Sequence, residues 1–272
     1  QLYAAGQNFV HYFGASKTEQ DVDFGGLRID FGGTKGIFKF FHVGFRSATY
    51  DPRNFVTAED DSQITDLPPS IADDLNETQI QTFSLGLSTD LRDNRVFPLD
   101  GFWGSVIAER ASDQTNSDVD FSRVTLDARF YKRVLDKNVV AFHLKGGYVT
   151  EEAPFYERFY LGGANSLRGY DFSRLTPLGG GTKLILANME FRFPITTKNF
   201  PYHKTSGVIF FDTGGIWLPG QTPRMEDFVT SIGLGVRIRL PVVGVTRFDF
   251  AFPLKKIDEN DFTAHISLGL TF

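Results

Sequence analysis

An all-β chain is expected here, folded as a transmembrane antiparallel β-barrel of about twelve strands in which residues 1–272 form a single domain. Three observations carry this expectation. Phenylalanine (29) and glycine (27) are abundant against 2 methionines, a bias toward strands rather than helices. Strict alternation of apolar and polar residues recurs in runs close to the roughly 9 to 11 residues that cross a bilayer as a tilted strand. The connections alternate between short and long, as in outer-membrane barrels with turns at one end and loops at the other, whereas a soluble sandwich predicts no such parity.

The strands follow in chain order. Leu2 to Phe13 opens the chain with a mixed pattern, and in the second strand Leu27, Ile29 and Phe31 oppose Gly26, Arg28 and Asp30. Gly33-Thr34-Lys35 turns into the third, Gly36 to Tyr50, and the acidic stretch Asp51 to Glu77 is the first long connection. Phe83, Leu85 and Leu87 against Ser84, Gly86 and Ser88 mark the fourth strand, Gly101 to Ala111 the fifth, and Val124, Leu126, Ala128 and Phe130 against Arg123, Asp127 and Arg129 the sixth. Leu135-Asp136 turns into Asn138 to Val149, and the glycine-rich Thr150 to Gly181 is a second long loop. In Lys183 to Phe193 the apolar set Ile185, Ala187, Met189, Phe191 and Phe193 sends Asn188, Glu190 and Arg192 the other way. In Val208 to Trp217 the set Ile209, Phe211 and Trp217 leaves Asp212 and Gly214 opposite. Ile232, Leu234, Val236, Ile238 and Leu240 oppose Ser231, Gly233, Gly235, Arg237 and Arg239; beyond Pro241-Val242-Val243, Thr246, Phe248, Phe250 and Phe252 oppose Arg247, Asp249 and Ala251. The last run sets Phe262, Ala264, Ile266, Leu268, Leu270 and Phe272 against Thr263, His265, Ser267, Gly269 and Thr271.

One face of the strongest strands thus carries no lysine or arginine, and such a face in a single sheet layer is covered by lipid. A cation at its midplane would cost about 2 to 4 kcal/mol. A formal net charge of -5 excludes a nucleic-acid binder, and the absence of cysteine excludes disulfides, a thiolate nucleophile and a cysteine-ligated metal.

The segment Phe159 to Phe172, FYLGGANSLRGYDF, places Arg168 in a loop whose returning strands present Glu190 and Asp212 on their polar side. Folded into the lumen, the loop would bring the guanidinium to both carboxylates, fixing its tip by charge-assisted hydrogen bonds. Leu167-Arg168-Gly169-Tyr170 resembles the loop motif of the BamA/TamA superfamily of outer-membrane β-barrels, also called the bacterial surface antigen family. Phe210-Phe211-Asp212-Thr213-Gly214 is similar to its wall motif, defined here by Phe210, Asp212 and Gly214, and Glu190 stands where the family has a lumenal glutamate. Asp90 to Gly101 resembles a periplasmic turn of the family, Leu240 to Leu254 its penultimate hairpin, and Gly269, Leu270 and Phe272 its C-terminal insertion signal.

The resemblance implies a place in the bacterial outer membrane and a part in inserting or translocating proteins or lipids there. Its implied partners are outer-membrane lipids, unfolded outer-membrane clients or a separate periplasmic protein. Family members of about sixteen strands carry periplasmic POTRA domains, whereas about seven strands precede the arginine loop here, so a short form lacking POTRA domains is expected, closed on itself by its even strand number. The implied device is a weak seam between first and last strands, where Gly6 and Gly269 each remove a packing side chain.

The alternative is a passive or structural barrel with a lumen lined by Arg28, Asp30, Arg129, Arg237, Arg239, Arg247 and Asp249. Catalysis is not expected: His11, His42, His143, His203 and His265 gather with no serine and aspartate at one rim. No cofactor or metal is expected either, since Gly179 to Lys183 lacks phosphate-loop spacing and metal-ligand clusters are missing. The run Glu59-Asp60-Asp61 with Asp73-Asp74 reads as a solvated loop, and Tyr148, Tyr160 and Trp217 as part of an interfacial aromatic girdle.

Overall fold

The computed structural model describes residues 2–13, 16–35, 38–52, 56–57, 71, 73–135, 137–195, 205–240, 244–257, 261–269 and 272, with side chains at 40–52, 71 and from 74 onward. Antiparallel strands run through it in sequence order: β1 (Leu2–Phe13), β2 (Ser16–Lys35), β3 (Phe38–Pro52), β4 (Val56–Thr57), β5 (Thr78–Asp90), β6 (Gly101–Ala111), β7 (Phe121–Val134), β8 (Asn138–Val149), β9 (Lys183–Pro194), β10 (Thr205–Trp217), β11 (Val229–Leu240), β12 (Gly244–Pro253) and β13 (Thr263–Leu268). Each pairs with the next, except that the two-residue β4 lies beside β2, off the main path, and β3 pairs directly with β5. Leu270, the run Glu59-Asp60-Asp61, His203, and the side chains of His11, Arg28 and Asp30 lie outside the described residues.

Alternation sorts the side chains onto two faces. Leu85 is 64% exposed and Leu234 56%, and Phe83, Met189, Ile209, Phe211, Phe250 and Ile266 share that apolar face. The other face is covered and buries Asn188, Glu190, Arg192, Asp212, Arg237, Arg247 and Asp249. A main hydrophobic cluster (Ile80, Phe121, Phe155, Leu161, Leu167, Leu184, Leu186 and others) forms where the β8–β9 loop packs against this polar-side wall.

Three expectations are corrected. The sheet is not closed: among the described residues β1 pairs with β2 alone and β13 with β12 alone. The last strand ends at Leu268, because Gly269 takes φ +86, a left-handed conformation that leaves the strand, while its N–H donates to the Val245 carbonyl at 2.6 Å. Phe272 therefore leaves the apolar set: it is 4% exposed on the polar side, stacked on His143 at 5.0 Å and packed with Tyr131, Val139 and Ala141. Trp217 is also no girdle residue, being 2% exposed beneath Phe228 with its Nε1–H donating to Asp227 Oδ2 at 2.7 Å.

Candidate functional site

The site is built where the loop between β8 and β9 meets β9, β10, β11 and β12. Register places Phe210 opposite Glu190, with Asp212 two residues on along β10. The two carboxylates are therefore diagonal neighbours on one face, separated by a gap that one planar guanidinium can bridge.

Arg168 fills that gap. Its Nε and Nη2 donate to Asp212 Oδ2 and Oδ1 at 2.7 and 2.8 Å, its backbone N–H donates to Oδ2 at 3.2 Å, and Nη1 donates to Glu190 Oε1 at 2.7 Å. All three residues are 0% exposed. The arrangement spreads outward. Arg237 donates to Glu190 Oε1 at 3.0 Å and to Asp249 Oδ1 at 2.6 Å, and Arg192 Nε to Glu190 Oε2 at 2.8 Å. Three acids are thus interleaved with three arginines, which offsets the cost of taking each charge out of water. A fourth arginine, Arg247, instead holds the loop through the Ala164 carbonyl and Asn165 Oδ1, and Asn188 Nδ2 donates to the Ser166 carbonyl at 2.9 Å.

Each residue of the loop motif has a physical reason. Leu167 is buried in the main cluster, and Gly214 across the wall leaves room for it, since a Cβ there would lie 3.3 Å from Leu167 Cδ1 and 3.0 Å from the Ile185 carbonyl oxygen. Gly169 has φ +91, and a Cβ on it would approach Ser231 and Ala251 at 3.2 and 3.4 Å. Its N–H donates to His265 Nε2 at 3.1 Å and its carbonyl accepts from Thr263 Oγ1 at 3.1 Å, which ties the loop tip to the last strand. Tyr170 donates to the Lys255 carbonyl at 2.7 Å, and burial pushes its hydroxyl up to about 12.

Phe210 provides the floor of the site: its ring centroid lies 3.5 Å from Arg168 Cζ, a cation–π contact in a desolvated setting. The ring lies flat because Gly233 stands opposite it, and a Cβ at that position would meet Phe210 Cζ at 2.2 Å and the Phe250 carbonyl oxygen at 2.3 Å. Gly233→Ala is expected to cost about 1 to 3 kcal/mol by overpacking. Its effect and that of Phe210→Ala should be less than additive in a double-mutant cycle of urea unfolding, because part of the clash disappears with the ring.

The same loop is held a second time. Glu157, 3% exposed, accepts from Arg123 Nη1 at 2.6 Å and from the Tyr50 hydroxyl at 2.9 Å, and Arg46 Nη1 lies 2.7 Å from its Oε1. Arg123 also bonds Glu109 at 2.7 Å. An anion of the loop base is thus seated among cations of β3 and β7, while a cation of the loop tip is seated among anions of β9 and β10.

Arg168, Glu190 and Asp212 are therefore brought together as the sequence proposes, with Leu167, Gly169, Tyr170, Phe210 and Gly214 around them. Gly269 lies apart at the end of β13, Phe272 on the polar side of β7 and β8, and Leu270 outside the described residues. Gly233 and the Glu157 clamp are missed by the sequence reading. Arg123 is marked by alternation as a polar-face residue, but its partner sits 34 positions away in a loop without periodicity.

Residues 35–272 match the model of the Omp85 superfamily domain. The chain is 28% identical over 177 residues to the outer membrane protein assembly factor BamA of Nitratidesulfovibrio vulgaris, covering 61% of this chain and 22% of that protein. It is 31% identical over 137 residues to the chloroplastic outer envelope protein 80 of Arabidopsis thaliana, covering 47% of this chain and 17% of that protein. It therefore spans only about a fifth of the length of these curated relatives. The fold is similar to the crystal structure of BamA from Haemophilus ducreyi lacking POTRA domains 1-3, with a TM-score of 0.71 at 18% identity over 98% of this chain and 59% of that one. With the family matched across most of its length, the chain belongs to the Omp85 superfamily.

Proposed function

We propose that this chain is the membrane barrel of a protein that assembles β-structured proteins into the bacterial outer membrane. In this reading the sheet of about twelve strands curls into a barrel whose seam between first and last strands stays open, its apolar face meets lipid, and the β8–β9 loop lies in the lumen. The observation that supports it most is the clamp of Arg168 on Asp212 and Glu190, which holds a loop tip against the wall and, through Gly169, against β13. Relatives named as outer membrane protein assembly factors add support.

Assembly requires no covalent chemistry from the barrel. An outer strand with one side unpaired offers backbone donors and acceptors to an incoming strand, and β13 has only six residues, ending where Gly269 turns away. Its partners would be outer-membrane lipids, unfolded barrel clients and a periplasmic protein that delivers them. The test is reconstitution in liposomes, following the folding rate of an unfolded test barrel. Wild type is expected to accelerate folding, and Arg168→Ala to lose most of that acceleration while still inserting. Equal rates with and without protein, accompanied by large steady conductance, would instead establish a passive pore.

A further inference from the structure

The connection between β5 and β6 is a turn at the end of the sheet opposite the β8–β9 loop; Leu91 and residues 93–96 are exposed, whereas residues 97–100 turn inward and are covered at least in part. It is internally braced: Asp93 Oδ1 accepts from the Leu99 and Asp100 N–H groups at 2.9 and 3.2 Å, and Asn94 Oδ1 accepts from those of Val96 and Phe97, both at 2.9 Å. Arg92 forks onto Asp90 at 2.9 and 3.1 Å. A turn braced in this way moves as one piece.

Its apolar tip lies across the polar side. The Phe97 ring centroid is 3.4 Å from Cζ of Arg239 on β11, although β7, β8, β9 and β10 lie between β6 and β11 in the sheet. Five strand spacings are roughly 24 Å along the sheet, so the turn reaches β11 by crossing the concavity. Pro98 is buried, and Leu99 packs against Tyr131, Val139, Ala141 and the inward-turned Phe272. Arg192 lies over the Tyr131 and Phe272 rings at 5.5 and 5.4 Å, completing a layer of rings and guanidinium groups at this end.

We infer that residues 91–100 form a strap that seals the short-turn mouth of the barrel, latched by the Phe97–Arg239 contact and seated on Leu99 and Phe272. The proposal rests on the membrane-barrel reading. The strap and the β8–β9 loop would close the lumen from opposite ends, so that assembly at the seam proceeds without a leak of small ions. A single cation–π latch with an apolar seat is weak enough to open as a unit.

The test uses planar bilayers and the absence of native cysteine. Wild type is expected to show low conductance, and Phe97→Ala and Arg239→Ala each a severalfold rise. The doubly substituted Phe97→Cys, Arg239→Cys protein, bridged by a cleavable bifunctional thiol reagent, should be held at low conductance and released on cleavage. Insertion with unchanged conductance in both alanine variants, or a cysteine pair that the reagent fails to bridge, would overturn the strap and leave the barrel reading intact. A protein that never enters the bilayer would overturn both.

Discussion

Arg168→Ala is expected to lower the free energy of unfolding by about 3 to 5 kcal/mol, the usual cost of removing one partner from a buried ion pair. The loss should fall mainly on Asp212. Glu190 keeps Arg192 at 2.8 Å and Arg237 at 3.0 Å, whereas Asp212 loses both guanidinium bonds and keeps the N–H of residue 168. Adding Asp212→Asn to Arg168→Ala should therefore recover part of the lost stability, and adding Glu190→Gln should not, because it would strand Arg192 in turn and leave Arg237 with Asp249 alone. Urea unfolding in lipid vesicles, followed by the fluorescence of the 2 tryptophans, measures all three variants. Recovery by Glu190→Gln but not by Asp212→Asn would contradict this division of charge.

The same pair of variants separates stability from assembly. If the clamp serves to hold the loop tip on the wall and on β13, the variant rescued in stability by Asp212→Asn should remain slow in folding a client. Arg168→Lys should also remain slow, since an ammonium is a point charge that cannot fork onto Asp212 and reach Glu190 together. A lysine variant with full activity would mean that charge alone, without the planar fork, positions the loop.

Alternation made the two faces legible because the side chain of a strand residue has only two directions to point, and the sign of its environment then follows. Leu85, Leu234 and Ile266 on one side, and Glu190, Asp212 and Asp249 on the other, needed no more than that. Period carries no information about what covers a strand end or where a strand stops. Trp217 obeys the alternation yet is buried, because the segment holding Asp227 and Phe228 folds over it. Phe272 continues the apolar register in sequence, but a left-handed Gly269 interrupts it in space. Gly233 was unremarkable among polar-face glycines until the register set it beneath the Phe210 ring. Arg168 was legible only because its loop motif, rather than any periodicity, pointed to acids on the wall.

Glu157→Gln is expected to cost about as much as the loss of Arg168, roughly 3 to 5 kcal/mol, by leaving Arg46 without a carboxylate while Arg123 retains Glu109. The effect should depend on pH in a defined direction. Burial pushes the Glu157 carboxyl up, but Arg46 and Arg123 outweigh it and hold it below the usual carboxylate range. For a group whose folded pKa is depressed, the stabilisation is fully present above the unfolded pKa of about 4.3 and is lost as pH falls through the folded value. The gap between wild type and Glu157→Gln should therefore stay constant from neutral pH down to about 5, then shrink in stronger acid. Because Glu157 joins the loop base to β3 and β7 while Arg168 joins its tip to β9 and β10, releasing either clamp alone should leave the loop tethered at its other end. Limited proteolysis within residues 150–182 should then be slow in each single variant and fast in the Arg168→Ala, Glu157→Gln double variant. Rapid cleavage in either single variant would show that the two clamps act as one unit.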